Sequence, residues 1–288
     1  MSADASDLEA CVRLLDDPDT SVAAAVSQHI FDMGHKVIPV LQGAMEQGAP
    51  ELSQQRMQHI VHAFQSIALA DLLATIDASR MQNVDVNLEL SLAMLNGFGR
   101  PADDIGSISR RLDDLALRVH ERFIGMSPAS DFTQLMAIHS VLYEEEHFRA
   151  PEGDYYDPMN SYISSVLDRR QGIPVSLSVL ELLIAERSGL DMYGVGLPYH
   201  FVVYCPQIDL YVDPFHGGTF LSREDCASFV QRSGLTFTID MLNPVRSVDI
   251  VLRILRNLAF AHPKSHNEWE ASTLQRALER YNPPLNSN

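Results

Sequence analysis

Residues 171–190 read QGIPVSLSVLELLIAERSGL. Ile173-Pro174 predicts a helix start, because the N–H that proline lacks would find no intrahelical partner at the first position anyway. From Val175 to Ile184 only Ser176, Ser178 and Glu181 are polar, so this helix is apolar nearly all round and must be wrapped by other elements. Ser188-Gly189 ends it, and the periodicity then changes. Met192–Leu197, His200–Cys205 and Ile208–Asp213 are short runs rich in Val, Tyr, Phe and Ile, separated by Pro198 and by Pro206-Gln207, which predicts three strands. A central buried helix against a small antiparallel sheet, in a chain otherwise of helical period, is a mainly helical α+β fold.

The last two strands can pair as a hairpin. A loop centred on Pro206-Gln207 places His200 directly opposite Asp213 on one sheet face. Asp213 would then hold the imidazole in one tautomer and stabilise its protonated form, as a base and its orienting group require. Ser176 and Ser178 lie near the start of the buried helix, where the helix dipole favours a developing oxyanion. A Ser176–His200–Asp213 arrangement is therefore one reading, and hydroxyls that satisfy backbone groups at the helix start are the other. His216-Gly217-Gly218 reads as a tight turn, with His216 able to join the same cleft.

Upstream, Asp154–Ser161 is a loop handing over to a helix, with Asn160 or Ser161 as the expected N-cap and Arg169-Arg170-Gln171-Gly172 as its stop. Leu112 to Phe123 and Phe132 to Leu142 carry two further helical stripes. The second ends in Glu144-Glu145-Glu146, read as a solvated end. Gly97-Phe98-Gly99-Arg100-Pro101, then Asp103-Asp104, is the strongest break. Before it, helices begin at Ser6-Asp7 and Thr20-Ser21, around Val37, and at about Pro50, the last ending near Phe64. After the strands, a helix is expected from Ser222 through Val230. Two more fall in 243–288, ending at Pro283-Pro284.

The chain has 288 residues and a formal charge of −17, with Lys36 and Lys264 its only lysines. Such a surface repels nucleic acid and anionic membrane faces. No run approaches the ~18 consecutive apolar residues of a membrane span, so no membrane is expected. The acidic first 19 residues lack the pattern of a secretory signal. Cys11, Cys205 and Cys226 are too few and too scattered for a disulfide framework or a zinc site. His59 and His62 share a helical face without a carboxylate to complete a site. The expectation is a cytoplasmic protein with no cofactor and no metal.

DYYDPMNSYISSVLDRRQGIPVSLSVLELLIAERSGL (154–190), GLPYHFVVY (196–204) and VDPFHGG (212–218) together resemble the transglutaminase-like superfamily, and within it the bacterial SirB-one branch. In that superfamily a Cys at the N-terminus of a central helix is the nucleophile, and a His and an Asp on following strands complete a triad. The resemblance covers about 105–285. It implies a transglutaminase-like, papain-like core over 105–242 and a TPR-like helical hairpin over 243–288. Ahead of them, the order short helix, Asp17-Pro18-Asp19 turn, helix, Gly34 and Val37-Ile38-Pro39-Val40-Leu41 resembles a HEAT repeat and sets 1–104 apart as an N-terminal helical region.

By that resemblance His200 is the triad histidine and Asp213 the triad aspartate, while Gly172-Ile173-Pro174 lies on the superfamily's Gly-x-Cys. Pro174 stands where the nucleophile belongs, and proline has no group that attacks an acyl carbon. Tyr199 replaces the glycine of the branch's Pro-Gly-His and is expected to pack. Pro174, Tyr199 and His216 are the expected lining of a ligand-binding cleft. The implied function is a non-catalytic, cytosolic protein-binding or regulatory factor, with a Ser176–His200–Asp213 amide or ester hydrolase as the alternative. The sequence names neither the partner nor an oligomeric state.

Overall fold

The computed structural model describes residues 3–126, 128–265 and 267–281; the expected stop at Pro283-Pro284 lies outside them. The chain divides into two compact units, Met1–Ala74 with Met94–Asp104, and Thr75–Ala93 with Ile105–Asn288.

The first unit is helical: α1 (Ala3–Leu14), α2 (Thr20–Asp32), a 3-10 turn at His35–Val37, α3 (Ile38–Glu46), and parts of α4 (Glu51–Gln82) and α5 (Leu88–Gly99). α1 begins ahead of Ser6-Asp7, and the cap of α2 is Asp19, whose carboxylate accepts from Ser21 N–H at 2.8 Å. Leu8, Leu15, Ile30, Ile38, Leu41, Met57 and Phe64 bury one shared seam.

α4 does not stop near Phe64. No glycine or proline occurs from Glu51 to Gln82, so nothing in the backbone ends the helix and it runs for 32 residues. Among the described residues it is the one helix long and apolar enough to cross a membrane, with a mean hydropathy of 1.3 over its best window, 44% of which is buried. The expectation concerned consecutive apolar residues, and in this helix polar residues interrupt them throughout.

The second unit is built around α9 (Pro174–Ser188), buried at all but one position from Pro174 to Ala185. α6 (Ile105–Ile124), α7 (Asp131–His139) and α8 (Ile163–Arg169) precede it. α7 continues as a π-helical turn, Ser140–Glu145. The cap residue of α8 is Tyr162, not Asn160 or Ser161. Asn160 is buried and ties the preceding loop instead, its Nδ2 donating to the carbonyls of Asp154 (2.9 Å) and Tyr155 (3.2 Å). Glu146 is not a solvated end either, for Arg118 and Arg170 both pair with it. Burial pushes its carboxyl up, and the two guanidinium groups outweigh that and hold it below the usual range.

The sheet is antiparallel in the order β1 (Tyr193–Val195), β2 (Val202–Cys205), β3 (Leu210–Asp213), β4 (Thr219–Leu221). β4 was not expected; the tight turn at His216-Gly217-Gly218 feeds it. Val203 pairs with Val212, a register two residues away from a hairpin closed on Pro206-Gln207. The turn takes four residues, Pro206 to Asp209, with Asp209 left-handed at φ 49°. A shift of two keeps every side chain on its face, so His200 and Asp213 stay on one side although they are not directly opposed.

α10 (Arg223–Arg232), α11 (Ser247–Ala261) and α12 (Glu268–Glu279) complete the unit. α11 has no side-chain cap of its own. Asp85, between α4 and α5, accepts from Ser247 N–H at 2.8 Å and from Val248 N–H at 3.0 Å.

Candidate active site around His200 and Asp213

His200 lies just ahead of β2, at the end of a loop drawn tight by its own backbone. Its N–H donates to Leu197 O at 3.1 Å. Arg253 of α11 reaches in from the other side and donates through Nη2 to the carbonyls of Leu197 (3.1 Å) and His200 (2.8 Å). At the tip between them Tyr199 takes φ 60° and stands 82% exposed. The expectation that Tyr199 packs is therefore corrected. The left-handed backbone turns its ring to solvent, in a conformation that suits the glycine it replaces.

Asp213 ends β3 and receives four hydrogen bonds. Its Oδ1 accepts from the backbone N–H groups of Phe215 (3.1 Å) and His216 (3.3 Å), which orients the carboxylate. Its Oδ2 accepts from His200 Nε2 at 2.8 Å and from His216 Nδ1 at 2.7 Å. Burial pushes Asp213 up, but the two imidazoles outweigh it and hold the carboxyl below the usual range.

The imidazole of His200 is enclosed, 4% exposed. The ring of Phe229, from α10, lies 4.8 Å away between centroids, that of His216 at 5.6 Å and that of Phe215 at 6.1 Å. His216 itself is open to solvent, its side chain 59% exposed.

The sequence-predicted serine is not delivered to this pair. Ser176 Oγ donates to Asn160 O at 2.6 Å and Ile173 O at 3.1 Å, and no hydrogen bond joins it to His200 among the described residues. A Cβ on Gly172 would come within 2.6 Å of that hydroxyl, so the glycine and the serine fit together as one turn. Ser178 Oγ points to Phe201 O at 3.4 Å. Pro174 is the first residue of α9 and buried.

All three cysteines are free and buried. Burial pushes each thiol up, Cys226 to about 12. Cys226 shares α10 with Phe229, but it lies in the core with Val195, Val202 and Tyr211.

One polar feature beneath the pair was not singled out by spacing. Glu181, on α9, is fully buried and accepts from Tyr143 Oη at 2.5 Å, while its Oε1 has no partner among the described residues. Burial, with the nearby charge of Asp213, pushes it up to about 7 against the Tyr143 hydrogen bond. A lone carboxyl in an apolar helix was the available signal; its partner stands 38 residues earlier.

Comparison with known proteins gives this geometry a family. Residues 106–256, just over half of the chain, match the family model described as the transglutaminase-like superfamily. The chain belongs to the transglutaminase-like superfamily. It is similar to a UPF0162 protein of Xylella fastidiosa (strain 9a5c), 35% identical over 145 residues, which are 48% of this chain and 51% of that protein. It is also similar to the F-box only protein 21 of Homo sapiens, 28% identical over 184 residues, 60% of this chain and 29% of that protein. The chain thus spans about half the length of the bacterial relative and under a third of the human one. No solved structure matches it.

Proposed function

We propose that this protein is a non-catalytic member of the superfamily that acts by binding a protein partner in the cytosol. The observation that carries the reading is the start of α9. A proline stands where the superfamily's thiol would attack, and the candidate hydroxyl two residues on, Ser176, is committed to two carbonyls. A hydroxyl without a base in hydrogen-bond reach is a poor nucleophile. His200 retains its carboxylate partner, but Phe215, Phe229 and His216 cover it, so the pair serves to lock β2, β3 and the turn after β3 together.

A binding role draws support from the surface beside the pair. Tyr155, Tyr156, Tyr199 and Phe260 are all exposed. The Tyr155 ring meets Phe215 at 6.1 Å, and Tyr156 meets Phe260 at 5.5 Å. Exposed aromatic groups are enriched where proteins meet proteins. On this reading the 105–242 core is the binding module, and the HEAT-like region and TPR-like pair flank it.

Fluorophosphonate and iodoacetamide probes on the intact protein test the absence of acyl chemistry. No labelling that depends on Ser176 or His200 is expected. Specific fluorophosphonate labelling, lost in Ser176→Ala, would overturn the proposal in favour of a Ser176–His200–Asp213 hydrolase.

A further inference from the structure

Two histidines converge on one carboxylate oxygen at the end of β3. His200 Nε2, Asp213 Oδ2 and His216 Nδ1 all lie within 4.8 Å of one another. The two nitrogen–oxygen separations are 2.8 and 2.7 Å. Ligand atoms held about 2.0–2.1 Å from a tetrahedral zinc-sized ion stand about 3.3–3.4 Å apart, so each imidazole nitrogen needs to draw back from Asp213 Oδ2 by only about half an ångström, giving up its hydrogen bond, to admit a cation. We propose that His200, Asp213 and His216 form a binding site for a divalent first-row transition ion of the zinc class.

Three further features of the site favour an ion there. The carboxylate is already aimed: Asp213 Oδ1 is engaged by two backbone N–H groups, leaving Oδ2 as the oxygen presented to the histidines, the kind of outer support that orients metal ligands. Two of the three ligands, His200 and Asp213, are buried, His200 against the rings of Phe215 and Phe229, where little water competes with the ion. His216 is exposed and supplies the entrance. Two imidazoles and one carboxylate select Zn²⁺, Co²⁺ or Fe²⁺ over Mg²⁺ and Ca²⁺, which prefer oxygen. With three protein ligands, the remaining positions fall to water or to an incoming ligand.

The site shares its residues with the preceding proposal but not its premise, since the ion binds whether or not a nucleophile is present. An ion on Nε2 takes the place of the proton that this nitrogen shares with Asp213 and leaves the Nδ1 lone pair, the one a base would use, untouched.

The test uses the full chain, stripped with a chelator and titrated with Co²⁺ by visible absorption and with Zn²⁺ by calorimetry. One ion per chain is expected, with cobalt d–d bands and a melting temperature raised by Zn²⁺. His216→Ala, a change at an exposed side chain, is expected to weaken binding at least about tenfold and to abolish the thermal shift. Asp7, Cys11 and His29 form a second group of metal-binding residue types, on α1 and α2; His29→Ala is expected to leave the affinity unchanged. No binding by the parent chain, affinity unaltered in His216→Ala, or affinity lost in His29→Ala would each overturn the proposal. Labelling by acyl probes in the chelated protein would instead count against the non-catalytic reading alone.

Discussion

Glu181 is a carboxyl whose ionisation the fold opposes by burying it. An unfolded Glu releases its proton near 4.3, whereas in the fold burial holds this one up to about 7. Between those values the native state keeps a proton that the unfolded chain has lost, so stability falls as pH rises through this window, by on the order of 3 kcal/mol in full. Glu181→Gln keeps an acceptor for Tyr143 and removes the titration. Thermal melts of the variant should gain on the parent protein from pH 5 to pH 8, and a difference constant across that range would refute the assignment. The neighbouring Asp213 acts in the opposite sense: held below its usual range, it adds stability that is present above about 3.9 and lost as pH falls through its lower folded value. The His200–Asp213 pairing was legible in the sequence because face parity survives a two-residue error in register. Glu181–Tyr143 and the Phe229 cover were not, since each depends on how elements far apart in the chain pack. Tyr199 misled for another reason. An aromatic side chain suggests packing, while the backbone conformation that exposes it leaves no mark on residue type.

At the scale of the element, the turn between β3 and β4 carries the geometry of the site. It is a 3-10 turn, Pro214–His216, followed by two left-handed glycines, Gly217 at φ 66° and Gly218 at φ 73°. The two differ in their surroundings. A Cβ on Gly217 would meet nothing within 4 Å, whereas one on Gly218 would fall 2.3 Å from Tyr143 Cδ2 and 2.7 Å from His139 Nδ1. Gly217→Ala should therefore cost about 1 kcal/mol, from backbone conformation alone. Gly218→Ala adds overpacking against the π-helical turn and should cost about 2–4 kcal/mol. Denaturant unfolding of the two variants checks this; equal losses would mean that the ring of Tyr143 gives way freely. Gly-Gly in the sequence announced the turn but not β4, because three residues, Thr219–Leu221, are too few to show an alternating pattern.

For the whole molecule, the buried helix α9 was readable from composition alone, since eleven buried residues between Pro174 and Ala185 leave it no solvent face of any width. The extent of α4 was not, because a helix lacking a breaker has no sequence signal at its internal positions. Nor was the way 75–93 joins the larger unit. Asp77 accepts from Tyr281 Oη and from Arg280 at 2.7 Å each, Glu89 pairs with Arg187 at 2.7 Å, and Asp85 serves as the missing cap of α11. That borrowed cap has a practical bearing on dissection of the gene. A fragment starting at residue 106, where the family match opens, would leave the first amides of α11 without an acceptor, a loss of about 1 kcal/mol before the other contacts are counted. A fragment starting at residue 75 keeps all of these contacts and should melt at the higher temperature of the two, so the cut belongs some thirty residues upstream of where homology would put it.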